Sequence, residues 1–312
     1  MSAPARNGWL PAWPGHLRRA GVLGMNARNT QLLVALNPRR LYDLVNDKIQ
    51  TKELCLREAI PTPRTYAILD HPAQVPAAAE IMRQAGQFVV KPSRGSGGRG
   101  VLVIAGSEEG DFRTSSGVAM SWDEMRYHLL MTLAGAFSIG GRADRVIIEQ
   151  RVSRHAAFEG LAVNGTPDVR LIVYRGSAIM GMLRLPTLAS GGRANLHQGA
   201  LGLGLDIATG VSTGGFCRDR SVEVHPDTGA ALTGVAVPRW KEMLAVSEKL
   251  SAAVGLGYLG VDIVLGEEGP LVLEANGRPG LSIQIANRCG LMTRIAEAEN
   301  RMTNDETRMI NQ

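Results

Sequence analysis

Cysteine is scarce in this chain. Its three copies, Cys55, Cys217 and Cys289, lie far apart and show no paired spacing, which argues against a disulfide framework or a zinc knuckle. Long apolar runs are missing too. No stretch approaches the ~20 residues that cross a bilayer, and the N-terminus has no apolar segment of signal-peptide length. A cytoplasmic protein without a membrane span is expected. Aromatic residues make up only 4% of the sequence, so the core has to be built from Val, Leu, Ile, Ala and Met. No dense Lys/Arg tract with interleaved aromatics occurs, which argues against sequence-specific nucleic-acid binding. No internal repeat is evident.

What the chain has is size and apolar content. Its 312 residues, 45% of them hydrophobic, are ample for a sizeable core, and length alone points to about two domains at roughly 100–200 residues each. The formal net charge of +5 and a pI near 9.4 are read as distributed along the chain and favour anionic ligands. Residues 1 to about 19 read as a loose leader whose Trp9 and Trp13 anchor it to the protein surface. Asn37-Pro38 is a start signal leading towards a helix over 48–58, and 32–35 is a short apolar element. Helices are also expected over 77–85, over 122–133 behind the capping box Ser121-Trp122-Asp123-Glu124, and over 240–254. Strands near 168–174, 178–185 and 262–274 should form one sheet, and the polar tail after Ala296 reads as a frayed helix end.

Two segments carry chemistry. Residues 261–265 and 270–274 are short apolar runs joined by a turn bracketed by Gly266 and Gly269, the pattern of a hairpin with a longer loop. Glu274 and Asn276 are two apart and share a strand face. With Asp262 they bring three oxygen-bearing side chains to one end of the ladder, a donor set suited to Mg²⁺; a hairpin with solvated polar tips would read the same way. The second segment, Phe88 to Ile104, is a β-rich run ending in Lys91, a loop containing Gly95, Ser96, Gly97, Gly98 and Gly100, and a second β-rich run. Such a loop can fold backbone N–H groups around phosphate oxygens, with Lys91 as a point charge at its rim. It is not a Walker loop, because the Lys precedes the glycines. A flexible surface hairpin is the alternative.

In this order the segments resemble the ATP-grasp superfamily, from about residue 46 to about residue 291. Asn46 to Lys52, followed by Ala59 to Thr65, resembles the helix carrying a phosphate-binding lysine, here Lys48. Phe88 to Ile104 is similar to the lysine strand and mobile lid. Val146 to Val152 is similar to the strand-to-hinge segment that cups adenine, which would give Glu149, Gln150 and Val152 that role. Segments 167–174, 182–186 and 193–199 are closest to ligases that add α-L-glutamate to a carboxylate, so the chain is similar to the α-L-glutamate ligase-like, RimK-related branch.

The resemblance implies an α/β (α+β) ATP-grasp fold of two α+β subdomains clamping ATP. Residues 1–45 would be a leader and short segment in place of the usual preceding domain, 46–150 and 151–295 the two subdomains, and 296–312 a polar tail. It implies ATP and one or two Mg²⁺, with Mn²⁺ as a substitute, on Asp262, Glu274 and Asn276. Lys48, Lys91 and lid residues Ser96, Gly97 and Gly98 would hold phosphates. Arg184, Arg278 and Asn195 would act at the reacting centre, and Arg170, Arg193 and His197 are candidates for the acceptor. The acid expected after the hinge to hold the ribose is absent: His155 and Ala156 stand there, with Glu159 displaced. The partners implied are a carboxylate and an amine such as glutamate, joined through an acyl phosphate; a homo-oligomer is left open. Two other classes fit the same motifs, a kinase for a non-carboxylate acceptor and a nucleotide-binding module with little catalysis.

Overall fold

The computed structural model describes residues 14–310, apart from 96, 109–110, 139 and 219. Among the described residues two antiparallel sheets dominate. The first has the order β1-β6-β2-β3-β4-β5, with β1 Thr65–Leu69, β2 Phe88–Pro92, β3 Leu102–Glu108, β4 Asp111–Thr114, β5 Ala119–Met120 and β6 Val146–Gln150. The second has the order β11-β10-β9-β8-β7-β13-β14, with β12 paired to β10. Its strands are β7 Asp168–Tyr174, β8 Ser177–Leu185, β9 Leu201–Leu205, β10 Val211–Cys217, β11 Arg220–Val222, β12 Thr233–Ala236, β13 Tyr258–Leu265 and β14 Pro270–Asn276.

Each sheet buries a face because its side chains alternate. Phe88 and Val90 of β2 and Val146 and Ile148 of β6 pack under the helices Val75–Ala85 and Trp122–Leu133, leaving Val89, Lys91 and Glu149 on the opposite face. In the second sheet Val169, Leu171 and Val173 join the core beneath the helix Trp240–Val254. Ile172 and Tyr174 point the other way, into a core closed by the helices Ile283–Ala286 and Leu291–Ile310.

The expected helices and strands are present at or near their expected limits, including the reciprocal capping box of Ser121 and Glu124. The helix Lys48–Arg57 buries Leu54 and Cys55 in the core of the second sheet. One expectation changes. The chain after Ala296 does not fray: the helix runs through Ile310, because Ile295, Ala298 and Met302 recur at helical spacing against the sheet and Glu299 accepts a hydrogen bond from Tyr174 Oη at 2.7 Å. The leader's Trp9 and Trp13 lie outside the described residues.

Strand β9, Leu-Gly-Leu-Gly-Leu, shows why small residues stand where they do. Its leucines fill one core, and on the other face the helix Ile283–Ala286 lies so close that a Cβ on Gly204 would sit 2.3 Å from Ala286 O. Gly204→Ala should therefore cost about 1–3 kcal/mol through overpacking against backbone that has no rotamer to yield. Urea unfolding would show a lower midpoint at constant slope; an unchanged midpoint would mean that the helix is not seated on β9.

Candidate functional site

The exposed face of the first sheet forms one wall of a cleft of about 480 Å³. Lys91 is not at a loop rim, as its position before the glycines led one to expect, but buried on β2 at 6% exposure. Its Nζ contacts Glu149 Oε1, while Lys52 Nζ lies 2.9 Å from Glu149 Oε2 and donates to Pro63 O at 2.7 Å. Burial opposes ionisation of Glu149, but the Lys91 and Lys52 charges outweigh it and hold the carboxyl below its ordinary range. Burial in turn pulls the Lys52 ammonium down.

One helical turn before Lys52 stands Lys48, whose Nζ donates to Gly95 O at 2.8 Å and lies 3.5 Å from Glu274 Oε2. Its helix starts there because Asp47 caps it, accepting from Ile49 N at 3.0 Å. The same buried carboxylate accepts from Ser93 Oγ and Arg145 Nη2, which ties the cap to the exit of β2. Lys48 is thus held from both sheets.

The glycine loop roofs the cleft. Gly97 and Gly98 have φ of 65° and 73°, the left-handed region that a nest of N–H groups requires and that glycine adopts freely. Asn195 Nδ2 donates to Gly97 O at 2.8 Å, and Asn195 Oδ1 accepts from His197 N. Asn195 therefore fastens the loop to the second sheet. Ser96 lies outside the described residues.

On the second sheet a single face changes character along its strands. Ile172, Tyr174 and Tyr258 are apolar cover for helices, whereas Asp168, Arg170, Arg184 and Asp262, further along the same face, line the cleft. Register pairs Asp262 with Arg170 and Asp168 with Arg184. Arg170 Nε and Nη2 donate to the two Asp262 oxygens at 2.7 and 2.6 Å; Arg184 donates to both Asp168 oxygens and reaches Asp262 Oδ2 at 2.8 Å. Arg170 thus faces Asp262. Burial would raise both acids. The two arginines overcome it at Asp262, which is held well below the usual range, while at Asp168 burial and the Asp262 charge prevail over Arg184.

Glu274 comes opposite Asp262 only because β14 bulges. Ile263 pairs with Val272 but Asp262 with Glu274, so Leu273 is an inserted residue. Asn276 Nδ2 lies 3.3 Å from Glu274 Oε1. Among the described residues no group of three His, Cys, Asp or Glu side chains could hold a metal ion, and the third donor of the expected set is an amide. The donors are all hard oxygens of the kind Mg²⁺ takes, and both Asp262 oxygens accept guanidinium hydrogen bonds, so a metal there would share them with Arg170 and Arg184.

The cleft grades from apolar to charged. Val89, Val101, Val103, Val264 and Leu273 line it together with the hinge residues Gln150 and Val152, and Lys48, Lys91, Arg170, Arg184, Asp262, Glu274 and Asn276 supply charge and amide. Arg193 and His197 line it as well. A chamber of about 60 Å³ adjoins the arginines, walled by Met182, Leu196, His197, Ser282 and Ile283. Arg278 is not brought in; it is exposed and stacks on Tyr42 at 5.0 Å. Nor is a ribose acid supplied after the hinge, where His155 caps a turn through Ala157 N and Thr166 lines the cleft. Lys52 and the pair Val264 and Leu273 escaped the sequence reading, although the four-residue spacing of Lys48 and Lys52 puts both on one helix face.

The sugar-transfer associated ATP-grasp family matches the chain over residues 27–300. No curated protein matches it. Among solved structures it is similar to the ATP-grasp ligase PsnB bound to a minimal precursor, at 15% identity and TM-score 0.46, covering 84% of this chain and 62% of that one. It is also similar to a RimK domain ATP-grasp protein from Sphaerobacter thermophilus, at 17%, TM-score 0.47, and 84% and 70% coverage. The D-alanine–D-alanine ligase of Bacillus anthracis aligns at 15%, TM-score 0.46, and 85% and 70% coverage. The chain thus spans less than two thirds of the length of PsnB. Since the family's profile runs through both sheets, the hinge and the hairpin of Asp262 and Glu274, the chain belongs to the sugar-transfer associated ATP-grasp family and has the ATP-grasp fold.

Proposed function

We propose that the chain is an ATP-dependent carboxylate–amine ligase, forming an amide through an acyl phosphate. One observation carries the reading: a single cleft, roofed by a glycine loop, passes from an aliphatic slot to a cluster of lysines, arginines and oxygen donors. An aliphatic slot at a hinge suits a purine; the charged end suits a triphosphate and a second anion beside it. The family's description as sugar-transfer associated favours a saccharide as carrier of one reacting group, with glutamate or another amino acid as the amine.

In this reading Val264 and Leu273 floor the base, and Gln150 and Val152 meet its edge. Lys48 and Lys91 hold the phosphates, with Glu149 and Lys52 keeping Lys91 in place. Mg²⁺ on Asp262, Glu274 and Asn276 would neutralise the β- and γ-phosphate charge. Arg184 and Arg170 each keep Nη1 without a hydrogen-bond partner among the described residues, leaving donors for the transferred phosphoryl group and the acceptor carboxylate. The carboxylate oxygen attacks the γ-phosphorus in line and ADP leaves. The amine then attacks the acyl carbon and phosphate leaves from the tetrahedral adduct. Positioning and charge neutralisation are the protein's share. The glycine loop, fastened by Asn195, keeps water from the acyl phosphate.

Three outcomes are expected. Lys91→Met leaves the buried Glu149 neutralised by Lys52, so the fold should survive, while losing a charge-assisted contact should weaken ATP binding by about 1.5–3 kcal/mol; calorimetry on folded protein giving unchanged affinity would remove Lys91 from the site. Glu274→Gln should raise the Mg²⁺ requirement and abolish turnover while metal-free nucleotide binding persists, and normal turnover at low Mg²⁺ would defeat the metal assignment. With an ¹⁸O-labelled uronate, an amino acid and ATP, label should appear in inorganic phosphate, one ADP per amide bond. A stable phosphorylated acceptor formed with ADP and without release of inorganic phosphate would establish a kinase instead.

A further inference from the structure

The chamber beside the arginines has walls that the main cleft lacks. Arg170, Arg184, Asn195 and His197 line both spaces, so the two open into each other, whereas Met182, Leu196, Ser282 and Ile283 line the chamber alone. The shared residues bring charge and polar groups. Of the walls that are the chamber's own, only Ser282 is polar.

Its polar atoms are left over from the fold. Arg170 and Arg184 commit Nε and Nη2 to Asp168 and Asp262 and keep Nη1 without a partner among the described residues. Each Nη1 carries a pair of hydrogens, so one arginine can serve the cleft and the chamber together. The side chains of Ser282 and His197 make no hydrogen bond among the described residues; His197 is fixed only through its backbone N–H, which donates to Asn195 Oδ1. Ser282 leads into the helix Ile283–Ala286 without capping it.

We propose that the chamber seats the amine substrate, and that this substrate is an α-amino acid with a side chain no longer than that of alanine or serine. The inference rests on the ligase reading of the cleft and chooses among the amino acids which that reading leaves open. At roughly 10–15 Å³ for each water-sized group, a chamber of about 60 Å³ admits about four to six such groups, the size of glycine or alanine. A sugar ring with its hydroxyls is larger and has to approach from the wide cleft, which leaves the chamber to the smaller reactant. Arg170, Arg184 and Ser282 can donate to the amino acid's carboxylate, while its nitrogen faces the open side, where the acyl phosphate forms. The side chain is then left against Met182, Leu196 and Ile283. A methyl group gains from that contact. Glutamate would bring a further methylene and a second carboxylate to the same apolar wall, where a charge without a partner is costly.

Calorimetry on the full chain tests this, first with Mg²⁺ and a non-hydrolysable ATP analogue and then with amino acids added to the loaded protein. Glycine or one enantiomer of alanine should bind at least about tenfold more tightly than L-glutamate. Ser282→Leu fills the chamber and should abolish that binding, whereas Ser282→Ala keeps the room and should weaken it by no more than about tenfold. Both variants should retain the melting temperature and nucleotide affinity of the parent. Glutamate bound as tightly as alanine, no binding of glycine or alanine to the loaded protein, or undiminished binding by folded Ser282→Leu protein would overturn the proposal and leave the ligase reading standing. Failure of the parent to bind the nucleotide would overturn both.

Discussion

Were β13 and β14 paired without interruption from their turn, Leu273 would stand opposite Asp262 and Glu274 would point to the other side of the sheet. The inserted residue reverses the parity of everything after it. Glu274 and Asn276 join Asp262 on the cleft face, and Leu273 reaches the same cleft. Apolar floor and oxygen donors are thereby delivered by consecutive residues of one strand, and the polarity gradient of the site follows from that shift.

Buried charge is the second constraint. Asp168, Asp262, Arg170 and Arg184 come within hydrogen-bond reach in a neutral set, each carboxylate bonded by guanidinium. An unpaired member would be costly at this depth. Pairing does not exhaust the arginines, whose planar forks offer more donors than two carboxylates consume. Glu149, buried between Lys52 and Lys91, works the other way: two cations share one acid, so the set keeps a surplus positive charge. One wall of the cleft is balanced and the other is not.

Much of this was legible in the sequence, for local reasons. The capping box at Ser121, the turn between Gly266 and Gly269, and the alternation in β2 each depend on a few neighbouring residues. What was not legible depends on distant partners. Nothing near Lys91 says that Glu149 will bury it. Leu54 and Cys55 do not announce which sheet they will pack on, and Arg278 follows the metal strand in sequence yet turns out to stack on Tyr42. The bulge is the hardest case, because Pro-Leu-Val-Leu-Glu-Ala-Asn reads equally well with or without a shift in register. The long C-terminal helix was missed for a simpler reason: its polar composition hides an apolar stripe one residue in three or four.

Met182 and Ile283 stand in two places at once. Both belong to the core that seats the helix Ile283–Ala286 on the second sheet, and both wall the small chamber beside the arginines. Trimming either side chain to enlarge the chamber would hollow the core in the same step. On the turn within Ser190 to Gly199, Leu196 also packs against that core, whereas His197 is exposed and is under no such double obligation. What the chamber admits can therefore change at His197, while the strand and helix behind it stay fixed by packing.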